Sequence, residues 1–168
     1  MTQPDDAYYW AGGRRIELER DRHDVALDLE RARSQGVSND VLAEAERLGV
    51  ALNDRLVLVS DSQLHQLGIT DEAHDDALQP VFRAADGTRI VVLPEVRVEV
   101  ADPGEQERLE AYVVQPGLDA KVTSSRPGRV VVTPSSGRGT DALDIANTMF
   151  ERFHPEVSQA RFLRIVPK

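Results

Sequence analysis

The chain has 168 residues, room for one ordinary domain or two small ones, and its lack of cysteine excludes a disulfide framework and thiolate metal sites. A formal net charge of -9, spread along the chain, argues against a nucleic-acid surface and for solubility or a basic partner patch. No run approaches ~18 apolar residues and the polar start, residues 1–6, has no apolar signal core, so no membrane is expected and the chain as written is expected to stay in the cytoplasm.

Tyr8-Tyr9-Trp10 before Gly12-Gly13 reads as the packed start of a strand, with an aromatic binding strip as the alternative. Residues 14–20 alternate Ile16 and Leu18 against Arg15, Glu17 and Glu19, and residues 23–29 alternate Val25, Leu27 and Leu29 against Asp24, Ala26 and Asp28. With Asp21-Arg22 between them, an antiparallel hairpin is predicted. Ser38 is placed to cap a helix that runs to about Leu48 and stops at Gly49. Residues 55–60 form a short buried strand, and Asp61 or Ser62 starts a further turn of helix ending at Gly68. Residues 70–78 read as a polar connector. They include Asp71-Glu72-Ala73-His74, the letters of a helicase metal motif, but the phosphate-cradling Gly-x-x-x-x-Gly-Lys-Ser/Thr loop that would give them meaning is absent. His74, Asp75 and Asp76 have no second ligand pair at helical spacing, so neither a metal nor another cofactor is expected.

Asp86-Gly87 is a strong hairpin turn joining residues 81–83 to residues 89–93. Pro94 then interrupts. Across and beyond it Val92, Val96, Val98 and Val100 point one way, while Leu93, Glu95, Arg97 and Glu99 point the other. Asp102-Pro103-Gly104-Glu105 supplies a capping carboxylate, a proline at the first helical position and a glutamate able to reach back. Leu109, Tyr112 and Val113 give that helix its buried side, and Pro116-Gly117 stops it. Residues 121–123 and 129–133 are two strands, the second with Val130 and Val132 on one side and Arg129, Val131 and Thr133 on the other. Residues 135–139 form a serine-glycine connector, with anion binding as its alternative role. Thr140 is placed to N-cap a helix burying Ala142, Leu143, Ile145, Ala146, Met149, Phe150 and Phe153, with Asp144, Asn147, Glu151 and Arg152 on the wet side. His154-Pro155 ends it. Residues 160–166 are a last strand, followed by a loose tail.

The fold class expected is α+β. Residues 89–168 read as a ferredoxin-like βαββαβ unit: an antiparallel sheet with two helices on one face and the other face open. Residues 1–88 form an N-terminal α+β lobe of hairpin, helix and strand. A fainter echo of the second pattern there leaves two alternatives, a degenerate copy with one strand unaccounted for or a smaller lobe packed on the second unit.

The start at residues 8–18, the joint Pro80-Val81-Phe82-Arg83 with Asp86-Gly87-Thr88, and the ending from Ala142-Leu143-Asp144-Ile145-Ala146-Asn147 to Phe162 resemble the N-terminal prodomain of subtilisin-like serine proteases, of the fervidolysin type. The resemblance covers nearly the whole chain and rests on packing and turn patterns. It implies a module that assists folding of the protease, docks by its open sheet face and feeds its C-terminal extension into the substrate cleft as an inhibitor. The implied docking residues are Glu95, Arg97, Glu99, Arg129, Val131 and Thr133, and the implied cleft-inserting tail is Ile165, Val166, Pro167 and Lys168. The expected partner is a subtilisin-like catalytic domain, in cis or in trans.

No Asp-Thr-Gly, His-Gly-Thr or Gly-Thr-Ser-Met segment supplies a triad, so the chain itself is expected to be non-catalytic. His23, His65, His74 and His154 fall in unrelated segments, and no nucleophile has a base at recognisable spacing. The alternative function is a stand-alone interaction or regulatory module working through oligomerisation or small-ligand sensing.

Overall fold

A computed structural model describes residues 7–115 and 117–166, without the side chains of Asp71, Glu72 and Asp75. The polar start at residues 1–6, the helix stop at Pro116 and the tail residues Pro167 and Lys168 lie outside the described residues. The fold is α+β, and the strands join by hydrogen-bonded pairing into a nine-stranded antiparallel sheet. Two compact units divide the chain: Met1–Glu19 groups with Val92–Phe162, and Arg20–Val91 groups with Leu163–Lys168. This differs from a single division after residue 88, because three strands have residues in both groups: β2 (Arg14–Asp28), β6 (Arg89–Glu99) and β9 (Val157–Ile165).

The unit containing residues 92–162 runs from β6 through α5 (Pro103–Val113), β7 (Ala120–Arg126), β8 (Arg129–Pro134) and α6 (Gly139–Phe153) to β9. Its strands pair in the order β9-β6-β8-β7. Valines make this sheet because a β-branched side chain packs well on a half-buried pleat. Val96 and Val98 of β6 and Val130 and Val132 of β8 are fully buried on the side where α5 and α6 pack, with Leu109, Val113 and Met149 closing the core. Asp102 caps α5 as expected, its Oδ1 accepting from Gly104 N at 2.9 Å, but Glu105 pairs with Arg108 at 3.2 Å. Tyr112 is half-buried and meets the ring of Phe153 edge-on. Buried Gln106 ties helix to hairpin: its Nε2 donates to Arg126 O at 2.8 Å, and its Oε1 accepts from Gly128 N at 2.9 Å.

The start of α6 departs from expectation. The capping position is Arg138, not Thr140, and no side chain caps it. Ser136 instead donates to Asp141 Oδ2 at 2.6 Å and accepts from Arg138 N at 3.1 Å. The aspartate carboxylate thereby occupies the helix start with negative charge, where the dipole favours it. Asn147 also departs from its expected wet side and is buried, because β1 (Ala7–Ala11) lies against α6. Its Nδ2 donates to Tyr8 O at 2.7 Å, while Trp10 stacks on Phe150 with ring centroids 4.9 Å apart. The aromatic start is therefore a packed strand.

The second unit contains β2 residues from Arg20 onward, then α1 (Leu29–Ser34), α2 (Asn39–Leu48), β3 (Val50–Ala51), β4 (Leu56–Ser60), α3 (Asp61–Leu67), α4 (Asp71–His74), a 3-10 turn (Asp75–Ala77) and β5 (Leu78–Ala84). Its strands pair in the order β5-β2-β4-β3, which matches β9-β6-β8-β7 position by position. The strand missing from the sequence echo is β3, two residues opposite Leu58 and Val57 and too short to show alternation. Leu27, Val57 and Val59 pack with Leu42, Ala45 and Leu64 in this unit's core. Ser38 caps α2 as expected, and Ser60 and Gln63 form a capping box on α3. Leu29 begins α1 rather than ending a strand, since Asp28 accepts from Arg31 N as an N-cap. The connector at residues 70–78 contains helical turns, with His74 Nδ1 accepting from Thr70 N at 3.4 Å.

The hairpin predicted at Asp21-Arg22 is absent: β2 is one strand of 15 residues, and the turn lies at Gly12-Gly13, joining β1 to β2. Asp21 is used differently. Its Oδ1 accepts from His23 N at 2.8 Å and Asp24 N at 3.1 Å, and its Oδ2 faces Arg89 at 3.2 Å and Arg83 at 3.5 Å. Burial alone would push its carboxyl up, but these backbone donors and Arg89 outweigh burial and hold it below the usual aspartate value. A group depressed on folding stabilises above its unfolded pKa and loses that contribution as pH falls through the folded value. Asp21→Ala should therefore lower stability by about 2 kcal/mol near neutral pH. The difference from wild type should shrink below about pH 4. Denaturant unfolding at both pH values checks this, and an undiminished difference in acid contradicts it.

Candidate docking face

The side of the β6–β8 pair turned away from α5 and α6 is built by alternation. With Val96, Val98, Val130 and Val132 facing the core, the intervening residues must face outward. Arg97 lies opposite Val131 and Glu99 opposite Arg129. Arg97 and Arg129 are exposed, whereas Glu95, Glu99, Val131 and Thr133 are half-buried. All six residues expected on the open face are thus brought together on one side of one unit. Pro94 does not interrupt β6, which continues through it to Glu99.

Neighbouring strands complete the face. On β9, Arg161 Nη1 contacts Glu95 Oε2 at 3.2 Å. On β7, Thr123 Oγ1 lies 3.1 Å from Thr133 Oγ1. Arg97, Arg129 and Glu99 have no ion-pair partner among the described residues. An open groove of ≈ 560 Å³ lies here, lined by Glu95, Arg97, Arg129, Gln159, Arg161 and Phe162. Sequence reasoning omitted Gln159, Arg161 and Phe162. Alternation within the strand read at residues 160–166 was a signal for Arg161 alone; Gln159 precedes those bounds, and β9 begins earlier, at Val157.

The expected tail divides. Ile165 is the last residue of β9 and is buried, which corrects its assignment to a loose inserting segment: its side chain is needed in the fold. Val166 follows at 76% exposure. Insertion of a tail into a cleft would have to begin there.

A second hollow, of ≈ 550 Å³, lies beside the start of α6 and includes Asp119, Ser135, Asp141, Asp144 and Thr148. Burial, helped by the neighbouring Asp141 charge, pushes the Asp144 carboxyl up. Among the described residues no group of three or more His, Cys, Asp or Glu is arranged to hold a metal ion. No described helix is long and apolar enough to cross a membrane. No protein-family model matches the chain, and no curated protein matches it.

Proposed function

We propose that this chain is a non-catalytic prodomain module that assists folding of, and inhibits, a subtilisin-like serine protease, docking by the outer face of β6 and β8. We read each of its units as a split βαββαβ arrangement, the first with α5 and α6 on one side of its sheet. The observation that carries the reading is the outer face itself: six residues, expected together from the prodomain resemblance, form one continuous patch with polar groups around Val131. A docking surface needs such a half-apolar centre with a polar rim. Glu99, which has no ion-pair partner among the described residues, is the carboxylate best placed to cap a helix N-terminus of the partner, whereas Glu95 is engaged by Arg161. The segment from Val166 onward is the part that enters the cleft.

The test is inhibition of a mature subtilisin-like protease by the purified chain. Competitive inhibition at micromolar concentration is expected, weakened when the residues from Val166 onward are removed and Ile165 is kept. Binding to the protease that leaves its cleft open would refute the inhibitory role. A ligand-dependent change in oligomeric state without protease binding would favour a regulatory module instead.

A further inference from the structure

The groove on the outer face has a charge balance unlike the rest of the chain. The whole chain carries a formal charge of -9, yet Arg97, Arg129 and Arg161 line this groove against one carboxylate, Glu95, with Glu99 outside the lining and directly opposite Arg129. Arg161 and Glu95 satisfy one another at 3.2 Å. Arg97 lies opposite Val131, a neutral neighbour, and Arg129 is its diagonal neighbour across the strand pair, close enough for two long side chains to converge. Both guanidinium groups are exposed and neither has an ion-pair partner among the described residues.

We infer that Arg97 and Arg129 together receive a carboxylate side chain of the docked partner, so that the face selects a surface segment rich in Asp or Glu. This rests on the docking reading and specifies its chemistry. A planar guanidinium presents paired donors that match a carboxylate, and two of them on adjacent strands fix its position. Glu99 does not remove this capacity, because it forms no ion pair with either arginine. Gln159, on the same side of β9 as Arg161, sets an amide beside the charge. Because the chain as a whole repels anions, capture of an acidic segment requires local recognition rather than general attraction.

Fluorescein-labelled hexaglutamate provides a direct probe, read by anisotropy with the intact chain. Saturable binding is expected with a Kd no weaker than about 1 mM at low salt. It should weaken by about tenfold between about 20 mM and about 200 mM salt. Arg97→Ala and Arg129→Ala should each weaken it at least about fivefold, while Arg108→Ala, on α5 at the opposite side of the sheet and paired with Glu105, should leave it unchanged. Absence of saturable binding, or an equal loss with Arg108→Ala, overturns the inference. The same variants tested against a subtilisin-like protease separate the two ideas. Equal inhibition by wild type and Arg97→Ala leaves the docking reading standing and defeats this inference. Capture of the peptide without binding of the protease supports the acidic-segment site and defeats the docking reading.

Discussion

Gly139→Ala should prevent the unit containing residues 92–162 from folding stably, with a loss of about 3 kcal/mol or more. A Cβ built on Gly139 would lie 1.7 Å from the carbonyl oxygen of Val92 and 2.6 Å from its carbonyl carbon. Both contacts are with backbone, so no rotamer change relieves them, and either α6 or the start of the valine ladder in β6 would have to move. Gly104→Ala is the matched control. Its Cβ would meet only Asp102 Oδ1, at 3.5 Å, an ordinary contact near the start of α5. That change should be neutral or stabilise by about 0.5 kcal/mol, because alanine restricts the unfolded chain more than glycine does. Chemical denaturation of both variants measures the contrast, and a Gly139→Ala loss below about 1 kcal/mol would contradict the close approach at Val92.

Val131→Glu should weaken the complex with a subtilisin-like protease about 100-fold, equivalent to about 2.7 kcal/mol. Val131 sits at the centre of the outer face, directly opposite Arg97 and on the same strand as Arg129. The introduced carboxylate would replace the apolar centre of the patch and pair with Arg97 across the strands, occupying the guanidinium that a partner would otherwise use. Because Val131 is half-buried and its side of the sheet faces away from α5 and α6, the cost to folding should stay within about 1 kcal/mol. Unchanged protease affinity in a folded Val131→Glu variant would place docking elsewhere on the molecule.

Legibility followed the range of the determining interaction. The α+β class, the Asp86-Gly87 hairpin, the Ser38 and Asp102 caps and the valine alternation of β6 and β8 were readable because each is set by residues a few positions apart. The outer face was readable for the same reason: once four valines are assigned to the core, Glu95, Arg97, Glu99, Arg129, Val131 and Thr133 have only one side left. What could not be read depended on distant partners. Asp21 has the composition of a turn, but Arg83 and Arg89 come to it from β5 and β6 and keep β2 extended. Asn147 lies on the polar side of α6 until β1 covers it and Tyr8 O accepts from its amide. Gly139 resembles a flexible connector, yet the need for glycine comes from Val92 on another strand. Ile165 fell within the strand read at residues 160–166 and was assigned to the tail only through the prodomain resemblance; its burial at the end of β9 keeps it in the fold.

Docking of the outer sheet face on a subtilisin-like protease, as proposed above, has a direct test. It is titration calorimetry of the purified chain into a mature protease of that class, inactivated at its nucleophilic serine so that no proteolysis confuses the heats. One-to-one binding is expected with a Kd of about 1 μM or tighter, about -8 kcal/mol. No detectable binding by the folded chain at concentrations well above that value would contradict it.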